Sequence, residues 1–257
     1  MKGDIYFINA KNQTMKQYIS AIIFAIAIVL SSIFLGKAYT DRKKVDGKIK
    51  VTGLGKTDFT SDLIVWEGRF NAQNYDLKQA YFTLKKNRAI VNKYLEKKGI
   101  DPKNVIYSAV NINKRTKPVY SPSGQYMGDE FVGYELSQSV QLQSKDVNKV
   151  EKISREITEL LNQGVQFYSE PPRCYYTKLA DLKIEMISRA TKDARTRAEK
   201  IAEYSGGKLG KLISAKMGIF QITGQNSAEN YSWGGTYNTS SKNKTASITM
   251  KLDYKVK

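Results

Sequence analysis

The first pattern along the chain is an unbroken apolar one. Residues 18–36, YISAIIFAIAIVLSSIFLG, hold no charge. Nineteen residues at about 1.5 Å rise span roughly 28 Å, one hydrocarbon core. Lys11 and Lys16 precede the run, and Lys37, Arg42, Lys43 and Lys44 follow it. Tyr18 and Tyr39 fall where interfacial aromatics belong. The reading is a polar tail over 1–17, a single transmembrane anchor over 18–36, a charged linker over 37–46 and one domain over 47–257. A cleaved signal peptide is the rival, because Gly36-Lys37-Ala38 has the spacing of a cleavage site. The long polar tail and the lysine inside that site weigh against it. Basic residues are denser after the span, which by the positive-inside rule keeps the bulk in the cytoplasm. A long domain can translocate regardless. The reading taken is tail inside and domain outside the cytoplasmic membrane.

From Lys48 the period changes to two. Ile49 and Val51 alternate with polar residues up to a turn at Gly53-Leu54-Gly55. Residues 61–73 place Ile64, Trp66, Gly68, Phe70 and Ala72 on one face, and the two strands are expected side by side. A helix follows, capped by Asp76 and Gln79, with Leu77, Tyr81, Leu84, Val91 and Leu95 as its stripe. Gly99-Ile100 and Pro102 stop it. Strands at 104–116 and 130–143 flank a turn-rich connector, a hairpin with a long, mobile tip over 119–129.

A second helix over 145–163 is capped by Ser144 and carries Val147, Val150, Ile153, Ile157, Leu160 and Leu161. A short strand at 165–169 comes before a third helix over 177–205. Its buried face is Leu179, Leu182, Met186, Ala190, Ala194, Ala198 and Ile201. Strands at 209–222 and 245–256 close the chain around a Gly/Ser/Asn-rich segment, Thr223 to Lys244, long enough to be functional or disordered. The fold class is α+β: antiparallel sheet packed against three helices, in the order ββαββαβαββ, behind one transmembrane helix.

Composition narrows the chemistry. The 257 residues contain no histidine and one cysteine, Cys174. Histidine-based catalysis, histidine metal sites, cysteine-rich zinc sites and intrachain disulfides are thereby excluded. Lys+Arg is 42 against 24 Asp+Glu, a net +18. The cations are mostly lysine and scattered, unlike the arginine-rich clusters of nucleic-acid binders. A lysine-rich surface is the simplest reading, with no specific nucleic acid; attraction to an anionic membrane or polymer stays open.

The stretch Ala190-Thr-Lys-Asp-Ala-Arg-Thr-Arg-Ala-Glu-Lys-Ile-Ala202, followed by Gly206-Gly207-Lys-Leu-Gly210, resembles the closing helix and turn of the SIMPL-domain family. Ile49-Lys-Val-Thr-Gly-Leu-Gly55 is similar to that family's first strand, and element order and length agree over about 47–256. The resemblance implies an α+β envelope domain outside the cytoplasmic membrane and a tendency to large homo-oligomers. It also implies links to oxidative-stress tolerance in some bacterial relatives and to kinase-associated signalling in an animal one. It supplies no catalytic residues.

The residues yield few sites. Ala190, Ala194, Ala198 and Ala202 stand four apart and read as close packing. Gly53-Leu-Gly55 lacks the third glycine of a phosphate loop. Cys174 beside Arg173 is the one redox candidate, since a neighbouring cation favours the thiolate. Tyr231, Trp233 and Tyr237 in the long loop, and Tyr120 and Tyr126 in the hairpin, are candidate contact residues. Sequons stand at Asn230, Asn238 and Asn243. No catalytic residue, metal, cofactor or small-molecule ligand is expected. The expected partners are the membrane through 18–36, further copies of the chain and an envelope protein. The alternatives are protection by the Cys174 thiol and binding of anionic polymers through the +18 charge.

Overall fold

The computed structural model describes the backbone of residues 3–43 and 47–257, and the side chains of 18–40 and 47–257. The first helix, α1 (Gly3–Lys43), runs past the apolar segment in both directions and takes in most of the expected tail and linker. Residues 1–2 and 44–46 lie outside the described residues. Tyr18–Thr40 is long and apolar enough to cross a membrane, and none of its described side chains is buried in the protein.

The rest forms two antiparallel sheets, each covered on one face by helix. The first sheet comprises β1 (Lys48–Thr60), β8 (Leu209–Met217), β9 (Gln221–Gly224) and β10 (Asn243–Val256), with β10 central. Helix α4 (Leu179–Tyr204) lies across β1 and β10. The second sheet comprises β2 (Leu63–Asn74), β3 (Val105–Tyr107), β4 (Asn111–Tyr120), β5 (Tyr126–Ser144), β6 (Phe167–Ser169) and β7 (Arg173–Tyr175). It is covered by α2 (Leu77–Lys97) and α3 (Val147–Glu156), the latter continued as 3-10 helix to Gln163. The α+β class, the antiparallel sheets and the apolar N-terminal helix hold.

Four expectations are corrected. β1 and β2 do not pair: β10 takes the whole of β1, from Lys48 opposite Lys255 to Thr60 opposite Asn243, and the chain crosses to the second sheet at Ser61 and Asp62. Gly53 and Gly55 are not a turn. They sit inside β1 facing α4, where a Cβ on Gly53 would fall on the Ala190 carbonyl and one on Gly55 would lie 2.5 Å from that of Met186. Glycine here permits close approach of backbones, not a bend. The hairpin tip is short, because β4 and β5 stay paired up to Tyr120 and Tyr126. Finally, two expected strands divide and one is added. The 104–116 strand divides at Ser108, whose N–H donates to Ser139 O (3.0 Å). The 209–222 strand divides around Gly218, and β7 follows the proline pair.

The helix faces shift by single residues. Ala80, Asn87 and Tyr94 are buried in α2, whereas Leu77 and Tyr81 are exposed. Ala202 is buried on α4 and Ile201 exposed; Leu161 is also exposed. Asp76 caps α2 by accepting from the Gln79 N–H (2.9 Å), and the Gly99 and Ile100 N–H groups close the helix on Glu96 O and Leu95 O. Asp146, not Ser144, caps α3.

Candidate functional site

Strand alternation assigns each residue of the first sheet to a side. Ile49, Val51, Gly53 and Gly55 lie under α4; Lys48, Lys50, Leu54 and Lys56 lie on the outer face. On β10, Ala246, Ile248, Met250 and Leu252 face α4, so Thr249, Lys251, Asp253 and Lys255 face out. The register sets Lys48 opposite Lys255, Lys50 opposite Asp253, and Lys251 opposite Lys216 of β8. Like charges directly across a strand pair destabilise a sheet. Among the described residues none of Lys48, Lys50, Lys216 and Lys251 forms an ion pair. Asp58 and Asp253 are the carboxylates on this face, and each is engaged by a neighbouring hydroxyl: Thr245 Oγ1 at 2.6 Å and Ser214 Oγ at 3.1 Å.

The loop between β9 and β10 is ordered by buried polar groups. The Gln221 side chain donates to Ser232 O (2.8 Å) and accepts from the Thr236 N–H (2.6 Å). Glu229 accepts from the Gly224 N–H (3.0 Å) and from the Asn238 amide. Lys244 is 1% exposed, and its Nζ donates to Asn238 O at 2.6 Å. Burial lowers its pKa, opposed in part by the neighbouring Cys174 and Glu229 side chains. The back of the loop meets α3 and the second sheet: Lys242 pairs with Glu151 of α3 (3.2 Å), and Thr239 O accepts from the Cys174 N–H of β7 (2.7 Å). The front leans over the outer face of the first sheet. Tyr231 Oη lies 3.3 Å from Ser247 Oγ, and Trp233 is 95% exposed. Between loop and sheet runs a groove of about 650 Å³, lined by Leu54, Ile219, Tyr231 and Trp233 with Lys216 and Lys251.

The candidate contact residues therefore separate. Tyr231 and Trp233 come together at the groove. Tyr237 does not join them; its backbone bridges to Ile222. Tyr120 and Tyr126 meet edge to face, 5.9 Å apart, at the tip of the hairpin in the other sheet. Cys174 is 3% exposed. Burial raises its pKa, and Lys244 offsets this only in part. Arg173, expected to activate it, instead approaches Glu67 (3.9 Å). A buried thiol held in its protonated form lacks the character of a reactive one. The alanine ladder is packing: all four side chains are buried against β1 and β10. The sequon at Asn238 is enclosed, its amide committed to Glu229.

The segments that carry the family resemblance are now placed: the alanine face of α4 lies on the glycines of β1. Residues 49–253 match SIMPL, described as a protein of unknown function (DUF541). The chain belongs to the SIMPL family. No curated protein matches it. The SIMPL domain takes in both sheets and every covering helix, from the second residue of β1 into the last strand, and α1 stands outside it. Within the SIMPL domain, the outer-face lysines were missed as a site, although their alternation with Ile49, Val51, Met250 and Leu252 is visible in the sequence. Gln221 and Lys244 carry no comparable signal.

Proposed function

We propose that this SIMPL protein is a non-enzymatic, membrane-anchored envelope protein. Its domain lies outside the cytoplasmic membrane, and it works by assembling with further copies of itself or with other envelope proteins. The observation that carries the reading is the ribbon of β4 and β5. β4 is exposed at every position, and its free edge pairs with no strand among the described residues. The ribbon presents Ile112, Tyr120, Tyr126, Met127 and Phe131 to solvent. Exposed apolar residues clustered on a projecting element mark contact surfaces. Lys114, Lys117 and Pro118 on the edge strand disfavour strand-to-strand addition, so the contact is through side chains. A stress-protective role through the Cys174 thiol has less support, because that thiol is enclosed.

The test is the mass of the full chain in detergent, by light scattering over a concentration series. A discrete oligomer is expected, reduced to smaller species by Tyr120→Ser with Met127→Ser. A strict monomer at every concentration would remove self-assembly from the reading.

A further inference from the structure

We propose that the outer face of the first sheet docks onto an anionic phospholipid surface, with Trp233 entering the headgroup layer. The proposal rests on the anchored reading above and goes beyond it by naming a second membrane contact.

Three observations point there. The face is a grid of lysines: Lys48, Lys50, Lys216 and Lys251 project from three neighbouring strands, with carboxylates, among the described residues, only at Asp58 and Asp253. A second depression of about 400 Å³ on the same side, lined by Lys211, Ile213 and Lys255, extends it. Among the described residues no helix covers this side; α4 lies on the other. Next, the buried Gln221 hydrogen bonds fix a loop whose effect is to hold an apolar indole in solvent at 95% exposure. Tryptophan, with an apolar body and one N–H, favours the boundary between lipid and water.

The third observation is reach. The N–H of Val256 donates to Gly47 O (2.8 Å), so the sheet begins at Gly47. Helix α1 ends at Lys43. Four residues extend no more than ~14 Å. The sheet is thus tethered close enough to the apolar span to come within the surface charge layer, which is about one Debye length deep. A soluble anionic polymer would satisfy the lysines, but it accounts neither for the tether nor for the protruding indole.

The test uses the full chain in nanodiscs of phosphatidylcholine alone, or of phosphatidylcholine and phosphatidylglycerol in equal parts. Each is made with and without bromine on the acyl chains. Trp66 is fully buried and gives the background emission, and Trp233→Phe identifies the rest. Expected is quenching of Trp233 by brominated lipid in the anionic discs only, relieved by high salt. Each lysine contributes about fivefold to the docking equilibrium near an anionic surface. Lys216→Gln with Lys251→Gln should therefore weaken docking roughly thirtyfold. Equal Trp233 emission in both lipids would overturn the proposal. So would shielding of Trp233 from acrylamide by dextran sulfate in neutral discs without quenching in anionic ones, which would give the face to a soluble polymer. A chain that enters neither disc ends the anchored reading, and the docking with it.

Discussion

In the second sheet the helices stand off the strands on large side chains, whereas α4 lies on β1 with little between the two backbones. Trp66, Phe70, Leu84, Leu136, Leu142 and Phe167 fill the larger core, and Trp66 stacks on Phe167 at 5.7 Å. The smaller core is built on Ala190, Ala194, Ala198 and Ala202 against Gly53 and Gly55. Asp193 fastens the helix to the strand by accepting from the Leu54 N–H at 2.8 Å. One core depends on volume and the other on its absence. Side chains can shift to absorb an added atom, but a strand and a helix in contact cannot.

The same substitution in both sheets exposes the difference. Gly53→Ala should have the largest effect, because the new methyl would meet the Ala190 carbonyl and lie 2.7 Å from Ala194 Cβ. A loss of more than ~4 kcal/mol, or failure of the smaller sheet to form, is expected in urea unfolding. Phe70→Ala opens a cavity in the larger core and should cost about 3–5 kcal/mol. Gly68→Ala should be milder, about 1–3 kcal/mol, because its new methyl meets the far edge of the Phe167 ring and not a backbone. If Gly68→Ala proves the worse of the two glycine variants, the contrast between the cores is wrong.

Asp193→Asn is the smallest change. The Leu54 N–H and then Arg197 hold the Asp193 carboxyl below the usual carboxylate range. A folded pKa depressed in this way contributes stability that is present above the unfolded value near 4 and lost as pH falls through the folded value. The group is about a third exposed, so screening limits the effect to roughly 0.5 kcal/mol. The gap between Asp193→Asn and the parent should be seen at pH 6 and should close as pH falls below the unfolded value near 4 and through the folded one. A gap independent of pH would mean that the contact is packing and not charge.

These contrasts also mark what could be read from the chain alone. Strand faces were legible wherever apolar residues alternate, as at Ile64 to Ala72 and Ala246 to Tyr254. The alanine ladder was legible because its four-residue spacing has one structural meaning. The role of Gly53 and Gly55 was not, since local glycine chemistry signals a turn and only the arrival of α4 makes it a contact. Separation of β1 from β2 was hidden for a related reason: neighbours in sequence usually pair, and the competing partner, β10, lies at the other end of the chain. Of the site, Tyr231 and Trp233 stood out as aromatics in a polar loop. Their groove did not, because it depends on Gln221 and Lys244, buried polar residues whose positions follow from tertiary packing.

The pairing of β1 with β10 also sets an order of events during synthesis. The second sheet closes within residues 63–175, so its strands and both covering helices are complete once Tyr175 has been added. The first sheet has its opening strand ahead of the second sheet in sequence and its central strand after it. β1 therefore leaves the ribosome early and waits, its edges unsatisfied, until β10 emerges. A chain stopped just before Asn243 holds the larger core entire and has no centre for the smaller one, so the fourteen residues of β10 decide whether the domain is finished.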